Sequence, residues 1–348
     1  MIRRAFYWLL VVAFIVLVAS RFSEISNLSQ ILFQGRIQWL LAAAGLQLLQ
    51  YVFASASYRS AFTTVGVESR VRDLFPLLFG SIFVNVIAPT GGASGAALFV
   101  DHAARNGQST ARTTAGIFLQ LITSMVSFVV ILAAGLAYLG AQNQLEIYYV
   151  IAAAFLMIAI FLIGGGLVLA MHRPALLKSI LHRVQSVLNR LVRRIKQVTL
   201  LSDEWIDRQV GEFVEAGTAI TTNPTGLAWT LGFLLFAHIM NVAGLYALFL
   251  AFSQAISIGS LVAGYAVGVL FLIVSVTPQG IGVVEGVMPL VFGSLGVPSS
   301  IATLTVLAFR GLSFWLPLVL GFLLLRKLDV FHTKKKPAPE RETSLPEQ

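Results

Sequence analysis

Residues 275–286 read SVTPQGIGVVEG, and the chain on either side is apolar for about twenty residues, the length of a membrane span. Into that setting the sequence places a proline, three glycines and one carboxylate, Glu285. Proline and glycine break helices, and a carboxylate in hydrocarbon is costly. Something in the fold must offset both costs.

The composition says what kind of fold that is. Of 348 residues, 57% are hydrophobic and 11% are charged, whereas soluble domains average about 25% charged. Long apolar stretches recur at 5–19, 37–57, 74–100, 113–139, 148–171, 225–252, 258–277 and 286–325. They are too long and too uniform for transmembrane strands, so the expected class is all-α, a polytopic integral membrane helical bundle. Cysteine is absent, which removes disulfides, thiolate metal sites and cysteine nucleophiles. The five histidines (His102, His172, His182, His238, His332) have no ligand spacing, so neither a metal nor a cofactor is expected.

The formal net charge of +9 lies mostly in loops between spans. It reads as the positive-inside pattern rather than as a nucleic-acid surface. MIRRAFYWLLVVAFIVLVAS, at 1–20, resembles a signal peptide but is expected to stay as an uncleaved anchor. Arg3 and Arg4 put the amino terminus inside. The loop at 58–73 (Arg59, Arg70, Arg72), the eight basic residues of 172–223 and the tail with Lys334 to Lys336 are inside as well. The loop at 140–147 has no basic residue and is outside. Both termini are thus expected on the cytoplasmic side of the cell membrane.

This count has a parity problem. Residues 58–73 and 101–112 are both inside, so 74–100 must enter the membrane and return, broken at Pro89. Residues 258–297 must dip in from outside and return, broken at Pro278. The expected architecture is about six full crossings plus two re-entrant hairpins of opposite orientation. Repeat 1 covers about 1–140 and repeat 2 about 147–328. APTGGASGAAL (88–98) and TPQGIGVVEGV (277–287) echo each other, aligning Pro89 with Pro278, Gly91 with Gly280 and Ala96 with Glu285. The competing reading is that both stretches are kinks in ordinary crossings. Inverted repeats with broken helices place their site at the midplane.

Each break frees backbone N–H groups at the start of a half-helix, an arrangement suited to an anion such as phosphate. Pro89, Gly91, Gly92 and Ser94 of the first hairpin, and Pro278, Gly280 and Gly282 of the second, are the candidates to contact it. The glycines equally suit close helix packing. Neither stretch is a soluble phosphate loop: GIGVVEG departs from the dinucleotide spacing and GGASG lacks the Walker lysine.

Two charges remain at membrane depth, Glu285 and Arg310. Arg310 is eleven residues into 299–325, near the midplane at about 1.5 Å per residue. Each costs roughly 2.5–3.5 kcal/mol at a helix centre, and they are the obvious partners for each other. The pair is either a structural tie between hairpin and last helix, or a site where Arg310 attracts an anionic headgroup or Glu285 a cation or proton. Asn85, Gln120, Ser124, His238 and Asn241 are the other polar groups at depth. Asn85 is expected to satisfy the freed backbone at the first break; His238 and Asn241 share one helical face turned into the bundle. No serine–histidine–acid triad assembles from this set, so no catalytic residue is assigned.

PALLKSILHRVQSVLNRLVRRIKQV, at 174–198, carries apolar residues at helical spacing with Lys178, Arg183, Arg190, Arg193, Arg194 and Lys196 on the remainder. It reads as a cytoplasmic interfacial helix attracted to anionic lipid, or as a plain orientation anchor. The tail at 329–348 is polar, proline-bearing and expected to be disordered.

Over about 1–328 these features resemble the lysylphosphatidylglycerol synthase transmembrane-region family, the flippase-like domain of bacterial multiple peptide resistance factors. TPQGIGVVEG is similar to that family's P-G-G-I-G-x-x-E element, and AFRGLSFWLPLVLG, with Arg310 and Pro317, to its last helix. The resemblance implies a protein that moves an anionic or aminoacylated phospholipid between leaflets. By the same match, Pro278, Gly280, Gly282, Glu285 and Arg310 would lie along the path. The family's first hairpin often has an acid and an arginine after its glycines, where this chain reads Gly95-Ala96-Ala97-Leu98-Phe99. A stand-alone member is expected, without an aminoacyl-transferase domain, and it would depend on a separately encoded enzyme for any lysyl-lipid. Two other readings stand beside transport: a membrane-embedded glycosyl- or headgroup transferase, and a non-catalytic partner of a lipid-modifying synthase.

Overall fold

The computed structural model describes residues 34–88, 90, 92–193, 210, 211, 214, 218 and 221–325. The expected first span, Pro89, Gly91, Arg194, Lys196 and the tail at 329–348 lie outside the described residues. Within them every regular element is helical. In chain order these are α1 (Ile37–Thr64), α2 (Val71–Ile87), α3 (Ala93–Arg105), α4 (Thr110–Ala141), α5 (Ile147–His172), α6 (Pro174–Arg193) and α7 (Pro224–Ala251). After them come α8 (Ile258–Val274), α9 (Val283–Ser294), α10 (Ser299–Arg310) and α11 (Leu316–Leu325).

Among the described residues, five helical segments are long and apolar enough to cross a membrane: α1, α4, α5, α7 and the run Ser299–Leu324 formed by α10 and α11. With 26 to 32 residues each, they reach about 39–48 Å at 1.5 Å per residue, more than the roughly 30 Å of hydrocarbon. The chain is therefore a polytopic helical membrane protein. α8 has 17 residues and α9 has 12, about 26 and 18 Å, short of a crossing. α2 and α3, with 17 and 13 residues, are equally short.

The short helices pair as antiparallel hairpins, and glycines set how closely they approach. In the second hairpin Gly264 lies against Phe292, Gly268 against Met288, and Gly280 against Val284 and Leu272, so that a Cβ at any of the three would collide. In the first, Gly95 at the start of α3 is enclosed by Ser81 and Asn85 near the end of α2. Each pair of short helices thus folds back on itself.

The halves of the chain interlock reciprocally. α1 and α7 form the most extensive helix pair and run antiparallel. The Arg36 N–H donates to Ala251 O at one end, and the Ser60 hydroxyl donates to Gly226 O at the other. α2 packs on α11, at the end of the second half, while α8 packs on α4, at the end of the first. Equivalent helices pair antiparallel and each hairpin grips the other half's last crossing. That reciprocal pairing is the one expected of two inverted halves. One buried cluster joins α1, α7, α8, α9 and α10 around Leu248, Phe249 and Phe292, and a second joins α1, α2, α3 and the α10–α11 run around Phe79 and Phe83.

The sequence echo was one residue out of register. α3 starts after Gly92 and α9 after Gly282, both at positive φ (95° and 83°). With those caps superposed, the residue equivalent to Glu285 is Gly95, not Ala96. The matching dipeptides misled because Pro89 and Pro278 are a residue apart in distance to their caps.

The tight seam between α2 and α11 gives a test. A Cβ at Gly321 would meet the backbone carbonyl of Phe79, whereas one at Gly165 meets nothing. Gly321→Val is expected to destabilise the detergent-solubilised protein by about 1–3 kcal/mol, read as a lower melting temperature. Gly165→Ala should leave it unchanged or raised.

Candidate functional site

The second break is built from its backbone outward. α8 ends at Val274, and Pro278 begins a single 3₁₀ turn, Pro278–Gly280. There the ring fixes φ and the missing N–H costs nothing. The chain then reverses through three positive φ values, at Gln279 (53°), Gly280 (66°) and Gly282 (83°). Glycine takes these freely. Gln279 does not, and a non-glycine residue held there stores of order 1–3 kcal/mol.

The two membrane-depth charges converge on this turn. Arg310 closes α10, is 4% exposed, and donates from Nε to Glu285 Oε1 at 2.6 Å. Its Nη2 donates to the carbonyl of Gln279 at 2.9 Å, and its guanidinium stands 5.1 Å from the centre of the Phe314 ring. Glu285 uses its other oxygen, Oε2, to accept the Gly282 N–H at 2.8 Å. That contact is the returning half of a capping box; glycine has no side chain to supply the other half. One carboxylate thus caps α9, favours its positive end and neutralises a buried cation. The cation in turn holds the left-handed Gln279 in place.

Arg310 also marks a change in helical winding. Residues Gly311–Trp315 form a π turn before α11 resumes, a feature that often occurs at functional positions. Tyr51 of α1 donates its hydroxyl to Ser313 O in that turn at 3.2 Å. Phe314 in that turn is buried in the bundle, and the Ser313 carbonyl is within reach of α1.

The first break does the same job without charge. Asn85 Oδ1 accepts the Gly95 N–H at 2.8 Å and faces the Ser94 hydroxyl at 2.9 Å. That hydroxyl also lies 2.8 Å from Ala88 O, so its single proton is shared. The Ser94 N–H is taken by Thr90 Oγ1 at 2.8 Å. A glutamate at Gly95 is excluded because even its Cβ would strike Ser81 and Asn85. Pro89 and Gly91, both expected to contact an anion here, fall outside the described residues.

The Pro278–Gly280 turn touches α2, and Ile281 packs into the cluster formed by α1, α2 and α3. Around the turn, Val276, Thr277 and Gly282 are exposed, as are Thr90 and Gly92 of the first break. Glu285 keeps 22% of its side chain exposed. The carboxylate is the open edge of the site, and the guanidinium behind it is buried.

His238 and Asn241 do face the interior, but at a different place. His238 Nδ1 meets the Tyr265 hydroxyl at 2.7 Å, with Ser127 Oγ 3.4 Å from its Nε2. Asn241 Oδ1 accepts from Gln47 at 3.3 Å. This polar seam stitches α7 to α8, α4 and α1. Sequence reasoning did not single out Tyr51, Tyr265, Gln47, Gln279 or Phe314. Tyrosine and glutamine in the middle of apolar stretches were the available signal. On α6, Lys178 and Arg183 are exposed beside exposed Leu176 and Ile180, while nothing is described of the side chains of Arg190 and Arg193.

Crossing helices, two opposed hairpins and a charge clamp at one hairpin tip define a polytopic membrane protein of the broken-helix type. The model of the lysylphosphatidylglycerol synthase TM region matches residues 6–321, and the chain belongs to that family. It is similar to a UPF0104 membrane protein of Methanocaldococcus jannaschii, 24% identical over 341 residues, covering 94% of this chain and 96% of the relative. It is also similar to a UPF0104 membrane protein of Pyrococcus horikoshii, 20% identical over 321 residues, covering 90% and 94%.

The clamp predicts non-additive energetics. Removing one partner leaves the other charge buried, a loss of about 3–5 kcal/mol. Glu285→Gln and Arg310→Met should each lower stability strongly. The double variant Glu285→Gln/Arg310→Met should recover much of the loss. Denaturation of the four proteins in detergent, read as a double-mutant cycle, measures the coupling.

Proposed function

We propose that the protein moves a phospholipid between leaflets of the cytoplasmic membrane, the cargo being anionic or aminoacylated, or a related lipid-phosphate. The observation that carries this reading is the clamp itself. A broken hairpin tip at expected mid-membrane depth is held by a buried arginine, with its carboxylate left at the edge of an exposed polar strip. Membership of a family named for a phospholipid synthase's membrane region supports the same reading. So does the opposed arrangement of the hairpins, since transporters that work by alternating access place their sites between such elements. The division into repeats at 1–140 and 147–328 and the cytoplasmic placement of both termini belong to this proposal, as does contact of α6 with anionic lipid.

Transport is favoured over a transferase by the state of Glu285. A general acid or base must be able to turn an oxygen toward its substrate within hydrogen-bond reach. Both oxygens of this carboxylate are already engaged.

Reconstitution into vesicles with fluorescent phospholipids tests the proposal. Transbilayer movement of an anionic or amino-bearing lipid is expected. Glu285→Gln should slow it by at least about tenfold, the equivalent of about 1.4 kcal/mol. No movement of any lipid tested would contradict the reading.

A further inference from the structure

The first hairpin has a second opening, at the end opposite its break. There α1 ends, residues 65–70 lead into α2, and the end of α3 returns beside them. A cavity of about 780 Å³ lies between these helix ends, within the range of small-molecule sites, roughly 300–1,000 Å³. Its floor is apolar, with Phe62, Leu74 and Phe99 each 2% exposed.

The rim carries both signs of charge. Arg59 and Arg70 line it together with Glu68 and Asp73, and the Arg112 guanidinium stands beside Gly66 at the edge. The charges do not cancel internally in close pairs. Asp73 lies 3.7 Å from Arg72, whose side chain is 73% exposed, a contact that solvent screens to little. The Ser69 hydroxyl at the wall is buried and has no hydrogen-bond partner among the described residues. Such a group calls for a ligand atom or a water.

A site for a simple anion has no use for two carboxylates, and a site for a simple cation has no use for the arginines. The mixed rim fits a dipolar ligand, with phosphate oxygens on the arginines and an ammonium on the acids, both as charge-assisted hydrogen bonds. We propose that this cavity docks a phosphate joined by a short spacer to a primary amine, the headgroup of an aminated phospholipid such as phosphatidylethanolamine. The dock is separate from the Glu285–Arg310 clamp. It rests on the lipid-handling reading only in taking a lipid rather than a free headgroup as the source.

Native mass spectrometry of the full chain in detergent tests it, with chain-matched phosphatidylethanolamine, phosphatidylglycerol and phosphatidylcholine. Phosphatidylethanolamine should bind about tenfold more tightly than either of the others. Glu68→Gln/Asp73→Asn should erase that preference, and Arg59→Gln/Arg70→Gln should weaken all three. Glu285→Gln should keep the preference. Displacement of the bound lipid by soluble phosphoethanolamine at comparable concentration would assign the site to the free headgroup, and failure to displace would assign it to the lipid. Equal binding of the three lipids by the natural sequence would overturn the proposal, as would a preference that none of the rim variants changes. Lipid preference without scrambling would leave the dock and remove the transport reading; scrambling without preference would do the reverse.

Discussion

The arginine at the end of α10 is the constraint from which the rest of the second hairpin follows. A guanidinium buried to 96% is tolerable in a membrane protein only if nearly every face of it is compensated. A carboxylate meets Nε, a carbonyl meets Nη2 and the guanidinium carbon lies over an aromatic ring. To deliver that carbonyl the chain must turn left-handed at Gln279, and to deliver the carboxylate α9 must begin two residues before Val284's successor, Glu285. The helix breakers that open SVTPQGIGVVEG are the geometry this compensation requires. Its cost in strain and desolvation is offset within a single cluster of side chains.

The two hairpins solve one problem by two chemistries. Both start their second arm after a glycine at positive φ, and both satisfy the freed N–H groups locally. The first uses Asn85, Thr90 and Ser94, neutral groups whose bonds can exchange one by one. The second uses an ion pair, whose separation would leave an uncompensated buried charge. Any movement between the halves therefore meets a soft tip on one side and a stiff one on the other. The polar seam of His238, Tyr265, Asn241 and Gln47 crosses the surface between α7 and its neighbours, and Tyr51 ties that surface to the π turn beside Arg310.

Much of this was legible in the sequence because membrane proteins expose their rules in composition. Among the described residues, five of the six expected crossings fall on helices that apolar length marked, and the short helices of both hairpins flank the marked breaks. The partnership of Glu285 with Arg310 followed from their being the two charges without a loop to occupy. Other features depend on three-dimensional contact and left no periodic trace. The register of the hairpin echo failed because cap position, not proline position, sets equivalence. Gln279 gives no side-chain signal, because its carbonyl is the part that meets Arg310. The π turn is invisible in GLSFW, and Tyr51 became part of the site only through the carbonyl that the turn releases.

The central claim is that the ion pair holds the broken tip closed. Hydrogen–deuterium exchange of the reconstituted protein measures this directly, comparing the natural sequence with Glu285→Gln over peptides spanning 278–286 and 90–98. The account predicts faster exchange at 278–286 in the variant, with 90–98 unchanged because Asn85 and Ser94 hold that break independently. Identical exchange at 278–286 in the two proteins would contradict it.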